Sequence, residues 1–403
     1  IVLCELGEFN NAIHHCQNAL SISPSEYLTQ LMCHLEAHIC DWDRSANDMS
    51  LLSSLGTKEK EVPPFALFSL DDSPERQRLR AEVFTSSRFK LEPLAPIRRP
   101  QVKPDRLNIG YFSADFHDHP VMHLIIRLLE RHNRQQFKIY AYSYNNKDND
   151  DMSEQLKKTV DVFRDVSSKD FRETAELARQ DQIDIAVDLT GYTKNCRSEI
   201  FACRAAPVQI NFLGYPGTMG ADFIDYIIAD QTVIPDHYRQ YYSEKVIHMP
   251  DTYMPTDNTR EIANRNITRS EMGLPENSFV FCGFNNSYKI SPKEFNIWMR
   301  LLHKIPDSVL WLRHSNEWAD DNLRKEAQKR HIEPSRLIFA ERIQMNEHLA
   351  RHTLADLFLD TFTFNAHSTA VDALWAGLPV ITKPGQGFAA RVASSLLNAI
   401  DLS

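Results

Sequence analysis

The sequence predicts an α/β protein: two Rossmann-like domains facing a cleft, preceded by an α-helical segment. Three observations predict it. From Arg106 onward, apolar strand-type runs ("RLNIGYFSAD", "FKIYAYSYN", "IDIAVDLTGY", "VQINFLGYPG", "DYIIAD") are separated by helical stretches such as "HPVMHLIIRLLERHN" and "KDFRETAELARQDQ". Strands alternating with helices build a mostly parallel, doubly wound sheet. After a looser stretch from Asp251 to Asn277 the alternation restarts with "SFVFCGFN", "SVLWLRH", "RLIFAER", "LADLFLDT" and "LPVITKP". Finally, the first forty-odd residues carry helical periodicity and no strand-type run.

The opening segment, residues 1–45, contains "LGEFNNAIHHCQNALSISP". Gly7, Phe9, Ala12, Cys16, Ala19, Leu20 and Pro24 fall where a tetratricopeptide repeat puts its turn glycine, aromatic, small packing residues and closing proline. Ala12, Cys16 and Ala19 share one helix face, and "EYLTQLMCHLEAHICDW" reads as the next helix. A single repeat cannot bury its own face. The segment is therefore expected to be the tail of a longer helical array, with the natural N-terminus upstream of Ile1. Residues 46–105, rich in proline and charge, read as connecting structure. Residues 106–255 and 256–403 are the two expected α/β domains. In open α/β sheets ligands bind at the carboxyl ends of strands, and clefts between domains favour them too.

Composition narrows the function. The chain has 403 residues, 45 basic and 54 acidic, for a formal net charge of -9. Nucleic-acid and anionic-membrane binders usually carry a basic excess, so neither partner is expected. No run of about 18 apolar residues exists to form a transmembrane helix, and no signal peptide is visible. Seven scattered cysteines without a C-x-x-C pattern read as reduced thiols in a cytoplasmic protein.

Five stretches could carry chemistry. In "LDTFTFNAHSTAVDALWAG" a strand ending near Thr361 hands over to a helix capped by Ser368 or Thr369 and stopped at Gly377. Backbone N–H groups and hydroxyls at a helix N-terminus make an anion site. His367 adds a donor, and Asp372 lies one turn in. In "FNNSYKI", Asn286 and Lys289 follow a strand directly, where a lysine can neutralise phosphate. In "SADFHDHPVMHL", His117, His119 and His123 lack the oriented spacing of a metal centre, so no metal is expected. His119, before Pro120, reads as a loop-held histidine suited to acid–base or hydrogen-bonding work. "LTGYTKNCRSE" offers the Thr193 hydroxyl after a strand. "LGYPGTMGADFIDY", with Gly214 and Pro216, forms a loop where backbone could approach a ligand. No G-x-G-x-x-G or Walker sequence occurs.

Together these motifs resemble the O-linked N-acetylglucosamine transferase and SPINDLY family in its bacterial branch. The matching stretches are "YFSADFHDHPVMHL", "LTGYTKN", "LGYPGTMGADFIDYIIAD", "FNNSYKI", "IPDSVLWL" and "FNAHSTAVDALWAGLPVIT", in family order. The resemblance implies a GT-B fold and inverting, metal-independent transfer of N-acetylglucosamine from UDP-N-acetylglucosamine to serine or threonine hydroxyls of proteins. It implies no separate cofactor, the nucleotide-sugar being a substrate. It also implies protein or peptide acceptors presented by the helical repeats. By the same resemblance Lys289 with His367, Ser368 and Thr369 would hold the donor diphosphate. Asn286 would contact the nucleotide and Asp372 the ribose, while His348 and Arg351 would lie near the base. His119, with Lys289, would be catalytic. Thr193, Gly214 and Pro216 would line the sugar and acceptor side. Two departures, Asp184 before the threonine loop and Met345 near the base, raise GDP-fucose or UDP-glucose as alternative donors. A tetratricopeptide scaffold with an inactive transferase domain is the alternative of another class. The chain is also expected to stop short of the family's last helices.

Overall fold

A computed structural model describes residues 2–44, 51–96, 104–144 and 150–402. These fall into two compact units. One comprises Pro63–Phe65 and Pro74–Thr259; the other comprises Ile1–Val62, Ala66–Ser73 and Arg260–Ser403. The division at 259/260 lies inside the loose stretch between the two runs of alternation.

The first α/β unit holds seven strands: β1 (Leu107–Ser113), β2 (Phe137–Ser143), β3 (Val162–Asp165), β4 (Ile185–Asp188), β5 (Val208–Asn211), β6 (Tyr226–Asp230) and β7 (Lys245–Met249). They lie in the order β3-β2-β1-β4-β5-β6-β7, and every pairing is parallel. Five of the seven residues in β1 and in β2 are buried, as expected where helices cover both faces of a sheet. Phe112 stacks on Tyr142 at 4.4 Å across that pair. The helix Pro120–Arg131 starts with proline at its first position and buries Val121, Met122, Leu124, Ile125, Ile126 and Leu129. Residues 74–88, inside the stretch expected as connecting structure, form a helix. There Thr85 Oγ1 donates to the Met219 carbonyl at 2.8 Å. Residues 45–50 and 97–103 of the surrounding sequence lie outside the described residues.

The second unit holds β8 (Phe279–Gly283), β9 (Ser308–Arg313), β10 (Leu337–Ala340), β11 (Leu357–Leu359) and β12 (Val380–Ile381), all parallel, in the order β10-β9-β8-β11-β12. The chain winds outward from β8 through β9 to β10, then crosses back to β11 and continues the other way. β8 and β11 are thus neighbours with connections that diverge, which opens a crevice at their carboxyl ends. The corresponding pair in the first sheet is β1 and β4.

The helical segment belongs to this second unit. Helices Phe9–Ile22 and Glu26–His38 pack through Ala12, Ile13, Cys16, Met32, Leu35 and Ile39. Ser25 caps the second of them by accepting from Leu28 N. Beyond it, Cys40 and Trp42 enter the core formed by β8, β9 and the helices Pro292–Lys304 and Glu317–Lys329. The end of the helical pair is therefore part of the sheet's own core. All seven cysteines are free thiols. Among the described residues no helix is long and apolar enough to cross a membrane.

Candidate nucleotide-sugar site

The crevice between β8 and β11 gathers the polar residues that the sequence singled out. β8 ends at Gly283 and β11 at Leu359, so Asn285 and Asp360 leave adjacent strands side by side. Asn285 Nδ2 donates to Asp360 Oδ1 at 3.2 Å and to Thr361 Oγ1 at 3.1 Å, while its Oδ1 accepts from Thr369 Oγ1 at 2.8 Å. One buried amide thus ties both strand ends to the start of the helix Ser368–Trp375.

Lys289 comes from a 3₁₀ turn, Ser287–Lys289, directly after β8. Its ammonium donates to the Asn365 carbonyl at 3.0 Å and lies 3.9 Å from the centre of the Phe364 ring. Burial holds its pKa down at about 7, against the pull of Asp360 and with the Arg313 charge adding to the depression. Burial likewise raises Asp360 to about 6, although it accepts from Thr382 Oγ1, Ala366 N and Thr361 N. A lysine and a carboxylate are thereby both held near neutrality at the edge of a sheet, which is characteristic of functional sites.

The helix start differs in detail from the sequence expectation. Its N-cap is His367, whose side chain makes no capping bond, so Ser368 is the first helical residue and Thr369 the second. The Thr369 hydroxyl is committed to Asn285 instead. The first N–H groups of the helix have no intrahelical acceptor and carry the positive end of its dipole. His367 Nε2 donates to the Ala389 carbonyl at 3.1 Å; burial, then the Lys289 charge, keep this imidazole neutral. The helix ends at Trp375, and Gly377 takes the left-handed conformation, φ 83°, that stops it.

A second polar chain runs beneath the same helix. Arg351 Nη2 pairs with His348 Nδ1 at 2.6 Å, and His348 Nε2 lies 3.9 Å from Asp372 Oδ2. Arg260 Nη1 donates to Asp372 Oδ1 at 2.7 Å, with both side chains buried. Burial lowers Arg351 to about 10 and His348 to about 2. The Arg351 guanidinium lies 4.7 Å from the Phe284 ring centre, and its Nη1 is used by the Glu341 carbonyl. Arg351 therefore acts on internal partners. Asp372 Oδ2 faces His348, on the side away from the Arg260 bond to Oδ1. Asn286 accepts from Arg313 Nη1 at 2.6 Å through its side-chain oxygen. Met345 opens the helix Met345–Arg351.

The other predicted residues belong to the first unit, at the β1/β4 edge. His119 caps the helix Pro120–Arg131, with Nδ1 accepting from Val121 N at 3.3 Å. An N–H donating to Nδ1 leaves the proton of the neutral ring on Nε2, so that nitrogen is a donor. Burial lowers the pKa of His119, partly offset by Asp115, whose Oδ2 lies 3.8 Å from Nδ1. Thr193 Oγ1 donates to the Thr190 carbonyl at 2.9 Å. A Cβ on Gly214 would stand 1.9 Å from the Leu189 carbonyl oxygen, so contact with the protein's own strand end requires this glycine. Pro216 is buried in the same loop. Asp184, taken from the sequence as a position bearing on the donor, lies before β4 at its amino end, where its carboxylate accepts from Asn108 N at 2.8 Å. It braces the amino end of β4, away from the carboxyl ends of the strands. His123 pairs with Asp118 at 2.7 Å. Among the described residues no group of three or more histidine, cysteine, aspartate or glutamate side chains is arranged for a metal.

Sequence reasoning missed Asn285, Asp360, Arg313 and Arg260. The signal for the first two was present: each is the first or second residue after a buried strand. Asp188 at the end of β4 is their counterpart in the first sheet. It is buried, raised to about 6, and accepts from Thr190 N and Gly191 N at 2.9 Å.

Comparison with known proteins gives one consistent result. The model of the family described as glycosyl transferase family 41 matches residues 90–266 and 259–403. The chain is 38% identical over 326 residues to the probable UDP-N-acetylglucosamine–peptide N-acetylglucosaminyltransferase SEC of Arabidopsis thaliana, covering 79% of this chain and 33% of that protein. It is 33% identical over 313 residues to the probable enzyme of that class named SPINDLY in Petunia hybrida, covering 74% and 33%. The chain thus spans about a third of the length of these curated relatives. Among solved structures, a mutant of the Thermobaculum terrenum O-GlcNAc transferase superposes with a TM-score of 0.82 at 25% identity, over 99% of this chain and 77% of that one.

Proposed function

The chain belongs to glycosyl transferase family 41, and from that premise we propose that it transfers N-acetylglucosamine from UDP-N-acetylglucosamine to serine or threonine hydroxyls of proteins, with inversion and without a metal ion. The observation that carries this reading is the convergence of Lys289 and the N-terminus of helix Ser368–Trp375 at the β8/β11 crevice. In the transfer, the bond from the sugar's anomeric carbon to the diphosphate oxygen breaks while a bond to the acceptor oxygen forms. The acceptor hydroxyl gives up its proton to solvent or to the departing diphosphate, on which negative charge grows. Fixed donors aimed at such growing charge often lower a barrier more than any other device an enzyme uses, and a lysine with helix N–H groups supplies them here. Because Lys289 sits near pKa 7 before the donor binds, the arriving diphosphate draws it fully into the charged form. Asp372, held by Arg260, is assigned to the ribose, and the His348–Arg351 pair to the wall beneath the base. His119 is assigned as a hydrogen-bond donor to sugar or acceptor through Nε2, and Thr193 as its neighbour on that side.

Protein acceptors, presented by helical repeats of the kind that Phe9–His38 represents, and a cytoplasmic setting belong to the same proposal. The test is mass spectrometry of a reaction containing peptides, cell proteins, UDP-N-acetylglucosamine, UDP-glucose and GDP-fucose together. A mass increment of one N-acetylhexosamine on serine or threonine supports the proposal. An increment of hexose or deoxyhexose replaces the donor and keeps the class. No increment from any donor, with cell proteins still bound, favours the scaffold.

A further inference from the structure

The donor site converges on one carboxylate that lies beneath it. Asp360 is 1% exposed and is the first residue after β11. Its Oδ1 accepts from Thr361 N at 2.7 Å, Ala366 N at 2.6 Å and Asn285 Nδ2 at 3.2 Å; its Oδ2 accepts from Thr382 Oγ1 at 2.6 Å. These four bonds fix four different pieces of chain: the end of β11, the loop that returns to the helix, the end of β8 and the segment after β12. The loop so pinned, 361–367, is closed by Thr361 Oγ1 to the Phe364 carbonyl at 2.6 Å and Asn365 Nδ2 to the Thr361 carbonyl at 2.7 Å. It presents the Asn365 carbonyl to Lys289 and the Phe364 ring beneath the same ammonium. Through Asn285 the carboxylate also orients Thr369 at the start of the helix.

We propose that Asp360 is the positioning residue of the donor site: its carboxylate sets the loop that carries the Lys289 acceptor, and its charge keeps the Lys289 ammonium protonated to meet the diphosphate. This rests on the donor-site reading above. The carboxylate does not touch the donor and acts through Lys289 and Thr369. The charged and titratable groups around Lys289 are Asp360 from the loop after β11, Arg313 from the end of β9 and His367 from the helix start. Glu294, from the helix Pro292–Lys304, is itself pushed up by burial and, to a lesser degree, by the Asp360 charge. Of these, Asp360 alone raises the pKa of Lys289. Neutralising it leaves an ammonium opposed by Arg313 and by burial.

The experiment is calorimetric titration with UDP-N-acetylglucosamine from pH 6 to 9. Its phosphates carry no ionisation in that range and its uracil N3–H begins to ionise only at the top of it, so a bend near pH 7 reports the protein. In the wild type, affinity is expected to be level below about pH 7 and to fall above it, because binding must then take up a proton at Lys289. Asp360→Asn retains the shape and the acceptor oxygen while removing the charge. Its bend is expected about one pH unit lower, which is about tenfold weaker binding at pH 8. Thr382→Val, which removes one donor and makes Asp360 easier to protonate, should move the bend the same way by less. Lys289→Met should lose the bend altogether. If Asp360→Asn follows the wild-type curve while Lys289→Met loses binding, the proposal is overturned and the donor site stands. If the wild type binds at no pH, the donor-site reading falls and takes this proposal with it. Should Asp360→Asn fail to fold, the Thr382→Val curve decides by the same criterion.

Discussion

Replacing Lys289 by methionine should make the protein more stable, and by an amount that depends on pH in a defined direction. The folded chain holds this lysine at about 7, where a free lysine titrates at 10.5. Between those values the unfolded chain binds a proton that the folded chain releases. Stability contributed at this position is therefore present above pH 10.5 and is lost as pH falls through 7. Each pH unit in that window is worth about 1.4 kcal/mol. The full shift sets a ceiling of about 5 kcal/mol, and local relaxation around the ammonium brings the expected gap at pH 7 to about 2–4 kcal/mol. Asp360 works in the same direction. Without Lys289 its pKa rises further above 6, which favours the mutant as pH falls. The gap between Lys289→Met and wild type should thus widen from pH 9 down to about 7 and change less below. Urea unfolding followed by tryptophan fluorescence measures it, since all five tryptophans, Trp42, Trp298, Trp311, Trp318 and Trp375, belong to the unit that holds the site. Parallel stability profiles for the two proteins would refute the reasoning, because Lys289 would then be an ordinary solvated lysine.

Three further outcomes follow from the geometry. Gly214→Ala should destabilise its unit by about 3 kcal/mol in thermal unfolding, because the new methyl would stand 1.9 Å from the Leu189 carbonyl oxygen. Arg260→Met and Asp372→Leu should each cost about 3 kcal/mol in urea unfolding, and the double variant less than their sum, since each single change strands a buried charge. Strict additivity would show that the 2.7 Å pair is not coupled. His119→Asn keeps a side-chain acceptor at the N-cap and should change stability by less than about 1 kcal/mol, while removing the Nε2 donor and slowing transfer at least about tenfold. Unchanged transfer would place His119 outside the chemistry.

The fold was legible because parallel strands covered on both faces read as short continuous apolar runs, as in "IDIAVD" and "FVFCG". The order of the strands was not legible, and it is the order that makes β8 and β11 neighbours. That explains which site residues could be named. Lys289, His367 and Ser368 were visible because charge or hydroxyl follows a strand directly. Asp360 and Asn285 were passed over because their role depends on being side by side, and their positions are 75 residues apart in sequence. Ser368 or Thr369 was expected to cap the helix, but the helix begins one residue earlier than that requires, so both lie inside it and the Thr369 hydroxyl donates to the Asn285 amide oxygen. Asp184 was singled out by the resemblance alone; its place at the start of "IDIAVD" sets it at the amino end of β4. His119 was visible as a loop-held histidine, whereas the tautomer that makes Nε2 a donor depends on the Val121 N–H. The opening segment forms a helical pair as its periodicity predicts, yet nothing in that pattern placed Cys40 and Trp42 in the core of the second sheet.

A crystal structure with UDP bound tests most directly whether a nucleotide diphosphate lies in the β8/β11 crevice. The phosphates are expected within hydrogen-bond reach of Lys289 Nζ and of the backbone N–H groups of Ser368 and Thr369, with the ribose beside Asp372. Phosphates seated away from Lys289, at the β1/β4 edge or on the outer surface, would contradict this placement.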